Sequence, residues 1–154
     1  MKPASDSSGT HLWLVLMKSH GALARHARRS IDSAEMGLSE FGALELLLHK
    51  GPQPVNEIGR RIDLTSGSIT SAIDRLEKRG LVARGADPGD RRARVVHLTA
   101  RGKALITKVF AGHKAAMDRA AADLSSAERA TLIELLKKLG TSADRRFKGE
   151  PSHD

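Results

Sequence analysis

Between Leu64 and Lys103 the chain reads LTSGSITSAIDRLEKRGLVARGADPGDRRARVVHLTARGK, and few folds accommodate that succession. Ile69, Ala72, Ile73 and Leu76 stand at i, i+3, i+4 and i+7, the spacing of a helix with one buried stripe. Thr65 or Ser66 caps its start, because a short hydroxyl side chain accepts from an otherwise unpaired N–H of the first turn. Gly80 ends it in a left-handed conformation. At about 100° per residue, the face opposite the stripe carries Gly67, Ser71, Asp74 and Lys78, flanked by Ser68, Thr70 and Arg75. A helix that enters the DNA major groove needs this distribution, since small polar side chains permit close approach and hydrogen-bond base edges or phosphates. The plain alternative is an ordinary polar helix face. Serine and threonine are mediocre helix formers, however, so Ser66, Ser68, Thr70 and Ser71 together ask for another reason.

Two β-type runs follow Gly80, Leu81 to Gly85 and Ala93 to Leu98, and the Pro88-Gly89 turn signal between them makes a hairpin. Its tip carries Arg91 and Arg92, placed to reach a narrow minor groove where the potential is most negative. Asp90 beside them is expected to orient an arginine fork bidentately. Taken alone, these arginines read equally well as a solvated turn; behind a groove-type helix, DNA contact is the stronger reading. Upstream, Pro54 opens a short helix from Val55 to Ile62 with Val55, Ile58 and Ile62 inward. Asp63-Leu64-Thr65 then turns into the next helix, which is helix-turn-helix spacing. The expected fold class is therefore mainly α with a small β-hairpin wing, a winged helix-turn-helix.

The charge balance agrees with a polyanionic partner: 26 Lys and Arg against 18 Asp and Glu give +8, and between residues 60 and 103 the ratio is eleven to five. At 154 residues the chain has room for one core and little for a second domain. It contains no cysteine, which removes disulfides, thiol catalysis, cysteine-ligated metals and cysteine-based redox sensing. The histidines, at 11, 20, 26, 49, 97, 113 and 153, include no i,i+4 pair to clamp zinc from one helix face, so neither a metal nor a cofactor is expected. The apolar run from Leu12 to Met17 is broken by Lys18, Ser19 and His20, and none approaches the ~20 residues that span a bilayer. The expectation is a cytoplasmic chain with no membrane partner.

In order along the chain, residues 1–9 read as a frayed end. A long helical pattern runs from Thr10 to about Ser33, with Leu12, Leu16, Leu23, Ala27 and Ile31 on one side and Trp13, Met17, His20 and Ala24 adjoining. Ser39 is expected to cap a helix carrying Phe41, Leu44, Leu47 and Leu48, which Gly51-Pro52 stops. Thr99 caps a helix from Ala100 to about Asp123. Ser125 caps the last, with Leu132, Ile133, Leu135, Leu136 and Leu139, ahead of a basic tail from Arg145. The division expected is residues 38–99 for the winged helix-turn-helix, 10–34 and 100–147 for dimerisation helices, and 148–154 for a second frayed terminus. The outer helices are longer than the DNA-binding lobe requires and would leave apolar surface wet in a monomer, which argues for a two-fold dimer. Two recognition helices then face half-sites about 34–36 Å apart, or a multiple of that.

The run Leu64-Thr-Ser-Gly-Ser-Ile-Thr70, with Asp74-Arg-Leu-Glu-Lys-Arg-Gly-Leu-Val82, Asp87-Pro-Gly-Asp-Arg-Arg92 and Leu98-Thr-Ala-Arg-Gly102, resembles the multiple-antibiotic-resistance regulator family, MarR. The resemblance extends more weakly over Leu12 to Leu139. It implies an obligate homodimer of triangular shape, a bacterial or archaeal origin and double-stranded operator DNA as partner, most often under a repressor released by a small molecule. Its wing motif falls on Asp90, Arg91 and Arg92, with Arg92 the minor-groove residue. Its recognition-helix positions fall on Ser66, Gly67, Ser68, Thr70, Ser71 and Arg75, where Gly67 departs from the bulkier polar residue of many members.

Trp13, His20, Phe41, His49, Phe110 and His113 are candidate ligand-pocket residues. The histidines also read as hydrogen-bonded core side chains, but in the family their helices border a cleft. An imidazole beside an aromatic ring suits the carboxylate or hydroxyl of a small aromatic effector. The function expected is a sequence-specific transcriptional regulator, a repressor released by such a ligand. A constitutive architectural nucleic-acid-binding protein without ligand control stands as the alternative. An enzyme is not expected, for no phosphate-cradling glycine loop, nucleophile elbow or metal-ligand pair occurs.

Overall fold

In the computed structural model, which describes residues 7–149, the helix stripe read from the sequence is the floor of the core. The elements are α1 (Gly9–Ile31), a single 3-10 turn (Asp32–Ala34), α2 (Leu38–Lys50), α3 (Val55–Arg61), α4 (Ser66–Lys78), β1 (Val82–Ala86), β2 (Arg94–Leu98), α5 (Ala100–Ala120) and α6 (Ser126–Gly149). Ile69, Ala72, Ile73 and Leu76 of α4 are all buried. Ile69, Ile73 and Leu76 pack with Phe41, Leu44 and Leu47 of α2, Ile58 of α3, Val96 of β2 and Ile106 of α5. Each such aliphatic side chain contributes roughly 1.5–3 kcal/mol on burial, which makes α2, α4 and the hairpin one lobe.

Most helix ends follow the capping residues. Thr65 Oγ1 accepts the Ser68 N–H at 3.2 Å, and Thr99 Oγ1 accepts that of Gly102 at 3.0 Å. Gly80 takes the left-handed conformation, φ 69°. Two starts differ from expectation. The first helix starts at Gly9 rather than Thr10, with Ser8 as its cap accepting from His11, and gives way to the 3-10 turn after Ile31. Ser39 caps nothing: Phe41 N–H already bonds the Gly37 carbonyl at 3.0 Å, so α2 begins two residues earlier, with Gly37 as its cap.

The hairpin is antiparallel, with Val82 opposite Leu98 and Ala86 opposite Arg94. An unexpected third edge comes from Gln53, whose N–H and carbonyl exchange bonds with Val96 at 3.1 and 2.8 Å. The root of the wing is clasped to α5. Thr99 N–H donates to the Leu81 carbonyl at 3.1 Å, and its hydroxyl donates to the Gly80 carbonyl at 2.7 Å. Gly102 lies so near this clasp that a Cβ there would stand 1.8 Å from the Leu81 oxygen. Only glycine fits.

The chain divides into two compact units, residues 1–117 and 118–154. In the second, Ser125 and Glu128 form a capping box: Ser125 Oγ accepts the Glu128 N–H and Glu128 Oε2 accepts the Ser125 N–H. Helix α6 buries none of its residues. It runs through Arg145 and Arg146 to Gly149, so the basic segment is helical and not a tail, and Lys148 pairs with Asp144 at 2.7 Å. The frayed end expected at residues 148–154 is thus corrected at 148 and 149. Ser8 and Gly9 are likewise ordered, and residues 1–6 and 150–154 lie outside the described residues.

Two outcomes test this packing. Gly102→Ala drives α5 off the Leu81 carbonyl and lowers stability by about 2 kcal/mol, read as an earlier urea midpoint; an unchanged midpoint contradicts the close approach. The Ser125 amide, and after it the hydroxyl, hold the Glu128 carboxyl below its ordinary value. The cap therefore contributes fully above the ordinary carboxyl range and is lost as pH falls through the depressed folded value. Ser125→Ala raises the Glu128 pKa in an NMR titration, and no movement contradicts the box.

Candidate nucleic-acid interface

The helix face opposite the core stripe is open: Ser66, Gly67, Ser68, Thr70 and Ser71 are all exposed. Thr65 Oγ1 donates to Ser68 Oγ at 2.9 Å, which engages one of these hydroxyls in the cap. The C-terminal half of α4 is held from the opposite side by a buried carboxylate. Glu40 of α2 is 7% exposed, and its Oε1 accepts from Arg75 Nε while Oε2 lies 3.9 Å from Arg79 Nη1. Arg79 also donates to the carbonyls of Ala34 and Glu35 at 2.9 and 3.0 Å. Arg75 thus spends Nε on the lobe itself, although its side chain remains 55% exposed. Arg75, expected at a recognition-helix position, is thus also an anchor of α4 to α2.

Arg84 of β1 joins the wing to α4. One guanidinium nitrogen lies 2.7 Å from Asp74 Oδ1 and the other bonds Glu77, and the Asp74 bond leads in raising the Arg84 pKa further. The pairing offsets one of the two negative charges that Asp74 and Glu77 place on the exposed side of α4. Phosphates approaching that side meet less repulsion than the sequence count implies.

At the tip the expected geometry needs correction. Asp90 Oδ1 accepts the backbone N–H of Arg92 at 2.9 Å and makes no ion pair with an arginine. Asp87 Oδ1 likewise accepts from Gly89 at 2.8 Å. Both are Asx turns, in which a short carboxylate reaches the amide two residues on more readily than a long, solvated guanidinium. Asp90 therefore shapes the tip, and Arg91 and Arg92 are exposed with no ion pair among the described residues. The sequence reading missed Arg94. It is exposed on β2 and borders, with Asn56, Ser66 and Thr70, a cleft of about 390 Å³ between α3 and α4. Its signal was its place just before the buried pair Val95-Val96.

The candidate pocket residues separate. Phe41 and His113 lie with ring centroids 4.6 Å apart and planes tilted by 52°, and His49 meets Phe110 edge-on at 4.8 Å. Trp13 and His20 are exposed on α1 and join neither ring pair.

A family model described as the MarR family matches residues 37–93, from the start of α2 through the wing tip. The HTH-type transcriptional regulator MhqR of Bacillus subtilis (strain 168) is 38% identical over 132 residues, covering 86% of this chain and 91% of the relative. The chain belongs to the MarR family. It is a DNA-binding transcriptional regulator and not an enzyme, as the family and these relatives are. The fold is similar to that of CouR from Rhodococcus jostii RHA1 bound to p-coumaroyl-CoA, with a TM-score of 0.79 at 21% identity over 90% of this chain and 95% of that one. A mutant MarR from E. coli complexed with operator DNA gives 0.74 at 23% over 83% and 92%. Among the described residues no helix is long and apolar enough to cross a membrane.

The two charge networks are not energetically equal. Glu40→Gln weakens a buried, hydrogen-bonded carboxylate and is expected to cost about 2 kcal/mol. Arg84→Ala breaks pairs on a half-exposed surface and is expected to cost under about 1 kcal/mol. Urea midpoints in the reverse order contradict the assignment of Glu40 as the anchor.

Proposed function

We propose that this MarR-family regulator is a homodimeric repressor that reads a pseudo-palindromic operator and is released by a small aromatic ligand. The observation that carries the DNA half is the combination of an open hydroxyl face on α4 with Arg91 and Arg92 unpaired at the tip of a wing tied to that helix by Arg84. Serine, threonine and Gly67 allow approach to base edges, and the arginines suit the minor groove. The operator complex of the E. coli neighbour supports the same partner here.

Apolar surface supports the dimer. Trp13 is 59% exposed and Leu12, Leu14, Val15 and Met17 about half on α1; on α6, Ile133 and Leu135 are 51% and 57% exposed. Stripes of this size on two separate helices exceed what a monomer leaves in water. The residues proposed for dimerisation are therefore those of α1, α5 and α6.

The ligand half rests on the ring cluster. Ser30 Oγ donates its single proton to the Ala27 carbonyl at 2.6 Å, so toward His113 Nδ1, 2.9 Å away, it can only accept. His49 Nδ1 lies 2.9 Å from the Glu45 carbonyl, which also only accepts. Both neutral imidazoles therefore carry the proton on Nδ1 and present the Nε2 lone pair. Beside Phe41 and Phe110 this favours an aromatic ligand bearing a hydroxyl donor, in keeping with the aromatic acyl-CoA bound by CouR. A ligand that prefers one arrangement of the dimer by about 2.7 kcal/mol shifts operator affinity ~100-fold.

Operators selected from random duplexes by the purified protein provide the test. Arg92→Ala is expected to weaken binding of the selected operator by about 1–3 kcal/mol, roughly five- to 150-fold, while the dimer persists in sedimentation. Ser71→Ala is expected to change which duplexes are selected more than how tightly they bind. Equal affinity for operator and random duplex, or a monomer in sedimentation, refutes the proposal.

A further inference from the structure

We infer a second small-molecule site, separate from the ring cluster, in the cavity beside the wing–α5 clasp: it takes an organic anion with an apolar tail. The cavity measures about 430 Å³, within the range of small-ligand pockets. Its floor is apolar, formed by Leu81, Ala104 and Leu105. Arg101, Ala104, Leu105 and Lys108 stand at i, i+3, i+4 and i+7 on α5 and so share one face, with the two cations at either end of that floor. Arg101 and Lys108 make no ion pair among the described residues, whereas Arg79, on the facing wall, is held by the carbonyls of Ala34 and Glu35. The lining carries three cations against the one carboxylate of Glu35.

That composition selects chemistry. An inorganic anion leaves the apolar surface of Ala104 and Leu105 wet, and a neutral apolar molecule gains nothing from the two exposed cations at the rim. A molecule with a carboxylate head and a short hydrocarbon tail satisfies both. The position also gives it leverage. Leu81 and Arg79 belong to the end of the recognition segment, while Arg101 and Lys108 belong to α5, so the occupant touches both sides of the Leu81–Thr99–Gly102 clasp. Its effect on operator affinity rests on the regulatory reading above; its binding does not.

The probes are octanoate, its uncharged analogue octanamide and tail-less acetate, titrated calorimetrically into the full chain without DNA. Octanoate is expected to bind once per chain, and octanamide and acetate each at least tenfold more weakly. The double variant Arg101→Gln, Lys108→Gln is expected to lose octanoate roughly tenfold or more, since each charged hydrogen bond is a factor of about ten. His113→Ala, in the other cluster, is expected to leave octanoate binding unchanged. Equal binding of octanamide, full binding by the double variant, loss in His113→Ala or no binding at all each overturns the site. Weaker operator binding by the double variant with no octanoate present also overturns it, by making the two cations phosphate contacts. If octanoate binds as described but never alters operator affinity, the site stands and ligand control through it fails.

Discussion

The contact on which the rest depends is a main-chain one, the Leu81 carbonyl against the first turn of α5. It accepts from Thr99 while Gly102 lies against it with no room for a side chain. The end of the recognition segment and the start of the long α5 helix therefore move as one body. A displacement of α5 of an ångström cannot be absorbed in a flexible loop there. It must pass to the wing or break two hydrogen bonds.

Glu40 plays the corresponding part at the other side of α4. A buried carboxylate is costly unless it is paired and hydrogen-bonded, and Arg75 with Arg79 supplies both. The benefit is orientation: α4 is held against α2 with the small side chains of its hydroxyl face outward. Arg84 then offsets half of the negative charge that Asp74 and Glu77 bring to the same helix, in pairs that cost little in stability. The surface proposed to face DNA thus depends on the charge offset around it as much as on the arginines at its tip.

What the sequence disclosed follows from the range of the interactions. The α4 stripe, its Thr65 cap, the Gly80 terminus and the Pro88-Gly89 turn are local, and period and turn chemistry announce them. Glu40 with Arg75, thirty-five positions apart, is not local, and an acidic residue early in α2 looks like any first-turn carboxylate. The Gln53–Val96 bridge and the Leu81–Gly102 approach were hidden for the same reason. Asp90 misled because a carboxylate before two arginines invites an ion pair, while the backbone amide of Arg92 is nearer and already fixed in place. Of the six pocket candidates, the four on α2 and α5 meet in two ring pairs; Trp13 and His20 followed a periodicity that leads to exposed surface on α1.

The central claim is that the open face of α4 and the wing tip, held in one frame, are the surface that meets DNA. Amide chemical-shift mapping on addition of a selected duplex tests this most directly. The account predicts the largest changes at Gly67 through Ser71 and at Gly89 through Arg92, appearing together at one DNA ratio. Changes concentrated instead at Arg145 through Lys148 of α6, with the α4 face unmoved, would contradict it.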